Sequence, residues 1–562
     1  MKNTYLDIME RVVDVYTPER FDAYIQKTNA EGITEHGFPR LCANIGILMA
    51  HGRAKHLRHR FEEMMIICCR DIPDCSNRKN KRGNDFSVRE VLSAILELEN
   101  AKLYPPETIA LWKDAIAKVD PYTCYRMVAP TPPVAVDNWA AFNAAGEQLR
   151  CKAGLANTES YIENQIASQM HCFDESGMYR DPNDPMVYDL VGRNMLSACL
   201  HHGYNGKYAP ALRKHLLNAA EMTMFMQSTT GELAYGGRSN QFIHNEAHMA
   251  ACLEFAAAEA FRLGQHEKAA RCKAVANYAL ACIVKWMQDA PGHHIKNYYP
   301  NDSMVGCEDY AYYDKYMVTV ASFLYLAYQF CDDAILPSIS PAEDDSCFSF
   351  QTPEVFRKLF CKAGSYFLEA EVCSDHHYDA EGIGRIQRRG APSTICISVP
   401  APKAPNYRLE SPNEMPLSIC CGKLHGDQWE YAFDAGAKNQ ISSHNASENQ
   451  SNGEIHHVLP SGESLTTSIS VTQNGVTLTV TGEGTVGITL PAFFFDGKVH
   501  TNISYTTHKL AVTYKNWICS YKTSNKLDEL AITCGNRNGQ YQVFRAVGNR
   551  SVTVHISIEK AS

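Results

Sequence analysis

The strongest constraint on the fold is a change of hydrophobic period near Ala334. Up to about Asp333, apolar residues recur with the helical spacing, predicting helices over 38–51, 54–69, 105–118, 137–153, 159–172, 188–202, 208–227, 242–264, 266–288 and 311–331. Thr17-Pro18-Glu19 offers an N-cap followed by proline at the first helical position, and Ser87-Val-Arg-Glu90 matches a capping box. Beyond Ala334, a stretch with Pro337, Pro341 and Glu343-Asp344-Asp345 gives way to alternating apolar and polar runs. Ser468 to Val480 reads as a hairpin turning at Asn474-Gly475, and Ser551 to Ile558 as a further strand. At 562 residues the chain exceeds one ordinary domain. The expectation is a helical catalytic domain over 1–335, a linker over 336–345 and an antiparallel β-sandwich over 346–562.

Several of these helices, such as Ala269 to Met287 and Tyr316 to Phe330, are apolar on more than one face. A helix buried on two sides must lie between others, and no fixed repeat length supports a solenoid, so a closed α/α toroid is expected. Its interhelical turns are where a cleft would lie.

A formal charge of −9, with one short basic run at Asn77 to Arg82, argues against nucleic acid as the main partner, and the run itself reads as a solvated loop. Nowhere do 18 apolar residues run together, and the N-terminus lacks the apolar stretch of a signal peptide. The 21 cysteines are scattered, often on helical apolar faces, without a C-x-x-C pair. A soluble, cytoplasmic protein without a membrane partner is expected, with self-association left open.

Four polar clusters fall at helix junctions. Asn138, Trp139, Asn143 and Glu147 form the first, in which Trp139 is either a sugar-stacking platform or core. The second runs from Asp174 to Asn194; its Asp189 and Arg193 stand four apart and either pair with each other or meet substrate. The third, Gly236-Gly-Arg-Ser-Asn-Gln-Phe-Ile-His-Asn-Glu246, packs charged and amide groups into a turn and the start of an otherwise apolar helix. Burying such groups without partners costs about 1 to 3 kcal/mol each, and a ligand is one kind of partner. Arg238 suits a carboxylate through two parallel hydrogen bonds, unless it pairs internally with Glu246. The fourth joins His293 to Tyr299, which includes Asn297, with Gly306 to Tyr316, in which Glu308 and Asp309 are either functional carboxylates or helix caps.

His244 and His248 are spaced like two zinc ligands, but Asn245 stands where a zincin requires glutamate. Gly236-Gly237 lacks the Lys and Ser/Thr of a phosphate loop, and no dinucleotide fingerprint appears. No metal and no cofactor is expected.

Taken with this architecture, the Gly-Gly-Arg-Ser-Asn-Gln-Phe segment, the Glu246 helix and Gly306-Cys-Glu-Asp-Tyr310 resemble exo-acting glucuronidases. The chain also resembles alginate lyases and heparinases, although Asn240 and His244 are four apart where the heparinase pattern has an Asn-His dipeptide. The resemblance implies an (α/α)6-type toroid followed by a β-sandwich, and action on uronic-acid-containing oligosaccharides or glycoconjugates. Hydrolysis of a terminal glucuronate-type residue would use Glu246 with Asp309 or Glu308. β-Elimination would use Arg238, Asn240 and His244 with Tyr310 or Tyr313. Asn138, Trp139, Arg193 and Asn297 complete the expected substrate-binding set. Hydrolysis is the expected activity, with a lyase and a non-catalytic glycan binder as the alternatives.

Overall fold

The computed structural model describes residues 1–74 and 84–561, so the basic run at 77–82 lies outside the described residues. Two compact units divide the chain. The first comprises Met1–Glu221, Ile243–Met287 and Ala311–Ser338; the second comprises Met222–Phe242, Gln288–Tyr310 and Ile339–Ser562. Two excursions from the helical half thus belong to the second unit, where the sequence suggested a single division near residue 335.

Fourteen α-helices lie among the described residues: α1 Lys2–Val13, α2 Pro18–Glu31, α3 Gly37–Ala50, α4 Arg58–Asp71, α5 Asn84–Asn100, α6 Pro106–Ala117, α7 Pro121–Cys124, α8 Trp139–Lys152, α9 Glu159–Met170, α10 Met186–His201, α11 Ala209–Met226, α12 His244–Arg262, α13 His266–Asp289 and α14 Tyr313–Phe330. Thr17 caps α2 by accepting from the Arg20 N–H, with Pro18 at the first position. Ser87 is buried inside α5, three residues after Asn84, and Glu90 forms an ion pair with Arg40 at 2.9 Å.

In the first unit, α3, α5, α8, α10, α12 and α14 each pack on the next, and α14 returns to α3. This closed inner ring explains why these helices are apolar almost all round: each meets neighbours on both flanks. A buried polar knot fastens three of them, since Arg40 on α3 also donates to Thr319 on α14 at 2.7 Å and Ser322 donates to Glu90 on α5 at 2.9 Å. Among the described residues no helix is long and apolar enough to cross a membrane.

The second unit holds a four-stranded antiparallel sheet, β1 Phe348–Gln351, β2 Lys358–Ala363, β3 Tyr366–Glu371 and β4 Gly382–Arg388. The remaining strands form one larger antiparallel sheet: β5 Cys421–His425, β6 Gln428–Tyr431, β7 Lys438–Ala446, β8 Gln450–Val458, β9 Ser464–Thr472, β10 Gly475–Phe495, β11 Asn502–Thr506, β12 Lys509–Tyr514, β13 Trp517–Thr523, β14 Lys526–Gly535 and β15 Gln540–Lys560. β1 to β3 pack on β7 to β9, and their facing side chains, among them Leu359, Leu368, Ile455 and Ile469, form a shared sandwich core. The architecture is therefore the expected one, a helical toroid followed by an antiparallel β-sandwich.

The predicted hairpin exists with a shifted turn. Thr472 pairs with Gly475, which leaves Gln473 and Asn474 as the connecting residues. Gly475 sits at φ +146°, and a Cβ there would lie 2.4 Å from the Ile556 carbonyl oxygen, so glycine serves a close approach to β15.

Candidate functional site

The expected site residues are shared between the two units, and each group has its own geometry. In the first unit, the N-terminal ends of five inner helices converge. The His36 ring, just before α3, lies 4.7 Å from Phe86 on α5, which is 4.9 Å from Trp139 at the start of α8. Gly37 lies so near α14 that a Cβ would come within 2.4 Å of the Asp314 carbonyl oxygen. His244, the first residue of α12, meets Tyr316 of α14 at 4.5 Å.

Charges of both signs surround this mouth, with Arg40, Lys315 and His244 near His36 and with Glu35 and Asp314 near Tyr312. Burial, with Arg40, Lys315 and His244 nearby, holds His36 well below the usual histidine range, so its ring is neutral near pH 7. His248, pressed against Phe323 at 3.8 Å, is lowered for a similar reason, burial first and then His244 and Arg40. His244 and His248 share the helix face turned to α14; Glu246, two residues after His244 and also buried, projects from another face. Burial raises the Tyr313 hydroxyl above its ordinary range although Arg20 sits 4.7 Å over its ring.

Other first-unit expectations have partners of their own. The partly exposed Trp139 carries Arg126 at 5.2 Å over its ring and Phe86 edge-on, so packing accounts for much of its surface. Asn138 donates through its backbone N–H and its amide to Asp181, both at 2.9 Å. Arg193 is fully buried and grips Asp189 through Nε at 2.9 Å and a terminal nitrogen at 2.5 Å. The four-residue spacing thus forms the internal pair that the sequence allowed. Asn143 and Glu147 are likewise engaged, by Asp85 at 3.0 Å and by Arg150 at 2.6 Å respectively.

In the second unit, the Gly236–Gln241 turn is pinned at two backbone positions. The Gly237 N–H donates to Asp379 at 2.5 Å and the Ser239 N–H to Glu308 at 2.6 Å. Ser239 and Gln241 both hold positive φ, +60° and +66°, a backbone shape that persists only where its surroundings enforce it. Arg537 clamps Glu308 through two nitrogens, at 2.7 and 3.1 Å, and stacks over Tyr407 at 4.0 Å. Glu308 accepts three hydrogen bonds and so braces the turn, whereas the adjacent Asp309 is exposed.

Arg238 projects partly exposed from this turn, and Tyr310 stands beside it with its hydroxyl 3.4 Å from Ser239 Oγ. Tyr378 is also within electrostatic reach: burial and Glu308 raise its hydroxyl while Arg238 lowers it. Asn240 is buried, with its carbonyl accepting from Gln241 at 2.7 Å. Asn297 is buried and donates to the carbonyls of Val305 and Arg537 at 3.0 and 2.8 Å. Beneath the turn, burial pushes Asp379 up to about 7 against the pull of Lys358. Burial pushes Glu371 up to about 8, although Lys358 donates to it at 3.0 Å.

His36, Tyr378, Asp379 and Arg537 were not singled out from the sequence. The polar run Ser374-Asp-His-His-Tyr-Asp379 and the turn Asn536-Arg-Asn-Gly539 carried a composition signal for three of them; His36 carried none. Among the described residues no three His, Cys, Asp or Glu side chains are grouped to hold a metal.

No protein-family model matches the chain, and no curated protein matches it. Solved structures similar to it include a heparan sulfate lyase, HepC, from Pedobacter heparinus (TM-score 0.41, 8% identity, covering 87% of this chain and 78% of that one). Heparinase III is similar at TM-score 0.38 and 9% identity, covering 85% of this chain and 78% of that one. A glycosyl hydrolase of family 88 from Bacteroides vulgatus reaches TM-score 0.35 at 9% identity, covering 58% of this chain and 98% of that one. At such identities and scores these likenesses assign no chemistry to this chain.

Proposed function

We propose that this protein is a carbohydrate-active enzyme that works on uronic-acid-containing glycans and releases a terminal uronate by hydrolysis. The observation that carries the reading is the mouth of the inner ring, where helix N-termini converge on His36, His244 and Tyr316 with Lys315 in electrostatic reach. Helix N-termini and a lysine favour an anion, while histidine and aromatic rings offer hydrogen bonds and flat apolar faces to a sugar. Glu246, in the first turn of α12, is the carboxyl assigned to protonate the leaving oxygen. In the second unit, taken by itself, Arg238 on its pinned turn with Tyr310 and Tyr378 is also suited to a carboxylate.

β-Elimination is the second reading, favoured by the neutral His36 and by the contact of His244 with Tyr316, a set able to take a proton from carbon once the uronate charge is offset. Incubation with a glucuronate-terminated oligosaccharide separates the two. Free uronic acid without a new ultraviolet absorbance means hydrolysis, an absorbing unsaturated product means elimination, and neither product ends the enzyme reading. Under hydrolysis, Glu246→Gln lowers turnover by about two orders of magnitude or more while substrate still binds.

A further inference from the structure

At one end of the β-sandwich, turns from both sheets enclose a groove of about 440 Å³, within the range of small-ligand sites. Gly364 and Ser365 come from the β2–β3 turn, Glu448 and Asn449 from the β7–β8 turn and Gln473 from the β9–β10 turn, while Arg388 ends β4 and Trp517 begins β13. The turns meet closely, since a Cβ on Gly364 would lie 3.3 Å from that of Gln473. None of these residues belongs to the ring mouth or to the Arg238 turn.

The lining is that of a saccharide site. Trp517 is half-buried and offers an indole face, while the exposed amides of Asn449 and Gln473 can each donate and accept toward vicinal hydroxyls. Two cations flank the indole, Arg388 at 5.9 Å and Lys560 at 5.8 Å from the ring centre. Arg389 is held by Asp345 at 2.6 Å, so that pair is neutral. With Asp345 and Arg389 of the lining offsetting each other, Glu448 and Arg388 remain as its charged residues, and Lys560 stands outside the lining beside the indole. Arg388 is held in place by donating to the Ile558 carbonyl.

We infer that this groove is a non-catalytic binding site for an acidic oligosaccharide, with a sugar ring on Trp517 and a carboxylate between Arg388 and Lys560. The identity of the sugar rests on the uronate reading above; the saccharide chemistry of the groove does not. The test is calorimetric titration of the full chain with a thio-linked, uncleavable glucuronate-terminated disaccharide and with its glucose-terminated counterpart. Trp517→Ala is expected to bind one fewer acidic disaccharide per chain than the unaltered protein. If the uronate reading fails, the count falls from one to none; if it holds, from two to one; an unchanged count overturns the groove in either case. Arg388→Gln, a milder change, is expected to weaken the acidic ligand at this site at least tenfold and leave the neutral one unmoved. Equal weakening of both ligands would overturn the carboxylate role.

Discussion

Replacing Asp379 by asparagine keeps an acceptor for the Gly237 N–H and removes one titration. Burial raises this carboxyl from an ordinary 3.8 to about 7, so the folded chain holds a proton that the unfolded chain releases. Between those two values the native state binds more protons, and stability therefore falls as pH rises. At about 1.4 kcal/mol for each tenfold change in proton affinity, the full loss by pH 8 is about 4 kcal/mol. Glu371, raised to about 8, declines over an overlapping window and remains in the variant, so the slope should lessen rather than vanish. Chemical denaturation at pH 4.5, 6 and 8 reads this directly. Relative to the unaltered protein, the variant should gain about 3 kcal/mol between pH 4.5, where about 1 kcal/mol of the linked stability is already lost, and pH 8. A constant offset at all three values would refute the argument, because it would mean that asparagine alters packing without any linked proton.

Arg537→Met should destabilise the second unit by about 3 to 5 kcal/mol in denaturant, since it strands Glu308 as a buried, unpaired carboxylate, and Glu308→Gln combined with it should recover part of that loss. Gly475→Ala should lower stability by about 1 to 3 kcal/mol through positive φ and the approach to the Ile556 carbonyl, with no change in turnover. Arg238→Lys should impair uronate turnover with little change in melting temperature, because a point charge replaces a planar fork; a steep fall in melting with unchanged activity per folded molecule would make Arg238 structural. Cutting the chain at Pro337 should leave an aggregation-prone helical fragment, because the segments 222–242 and 288–310 would lose the rest of their unit, including the packing of Phe225 on Phe348 at 5.1 Å; light scattering checks this.

The sequence by itself determined the change from helix to strand, most helix limits and the layered toroid, because hydrophobic period and capping are local and report directly on which faces are buried. Thr17-Pro18 is such a signal and held; Ser87–Glu90 matched the same pattern and did not, because Glu90 is drawn to Arg40 on another helix. The hairpin was legible from Asn474-Gly475, but its register followed the close approach to β15. The four-residue spacing of Asp189 and Arg193 allowed an ion pair, and only the fold shows that it forms and is buried. Likewise the sequence placed Glu308, Asn297 and the Gly236–Gln241 turn in separate polar clusters, and only the fold joins them in one brace through Arg537, 229 residues from Glu308. The elevation of Asp379 and the neutrality of His36 arise from burial and from charges distant in the chain. Such electrostatics exist only once the tertiary structure has excluded water and brought those charges together.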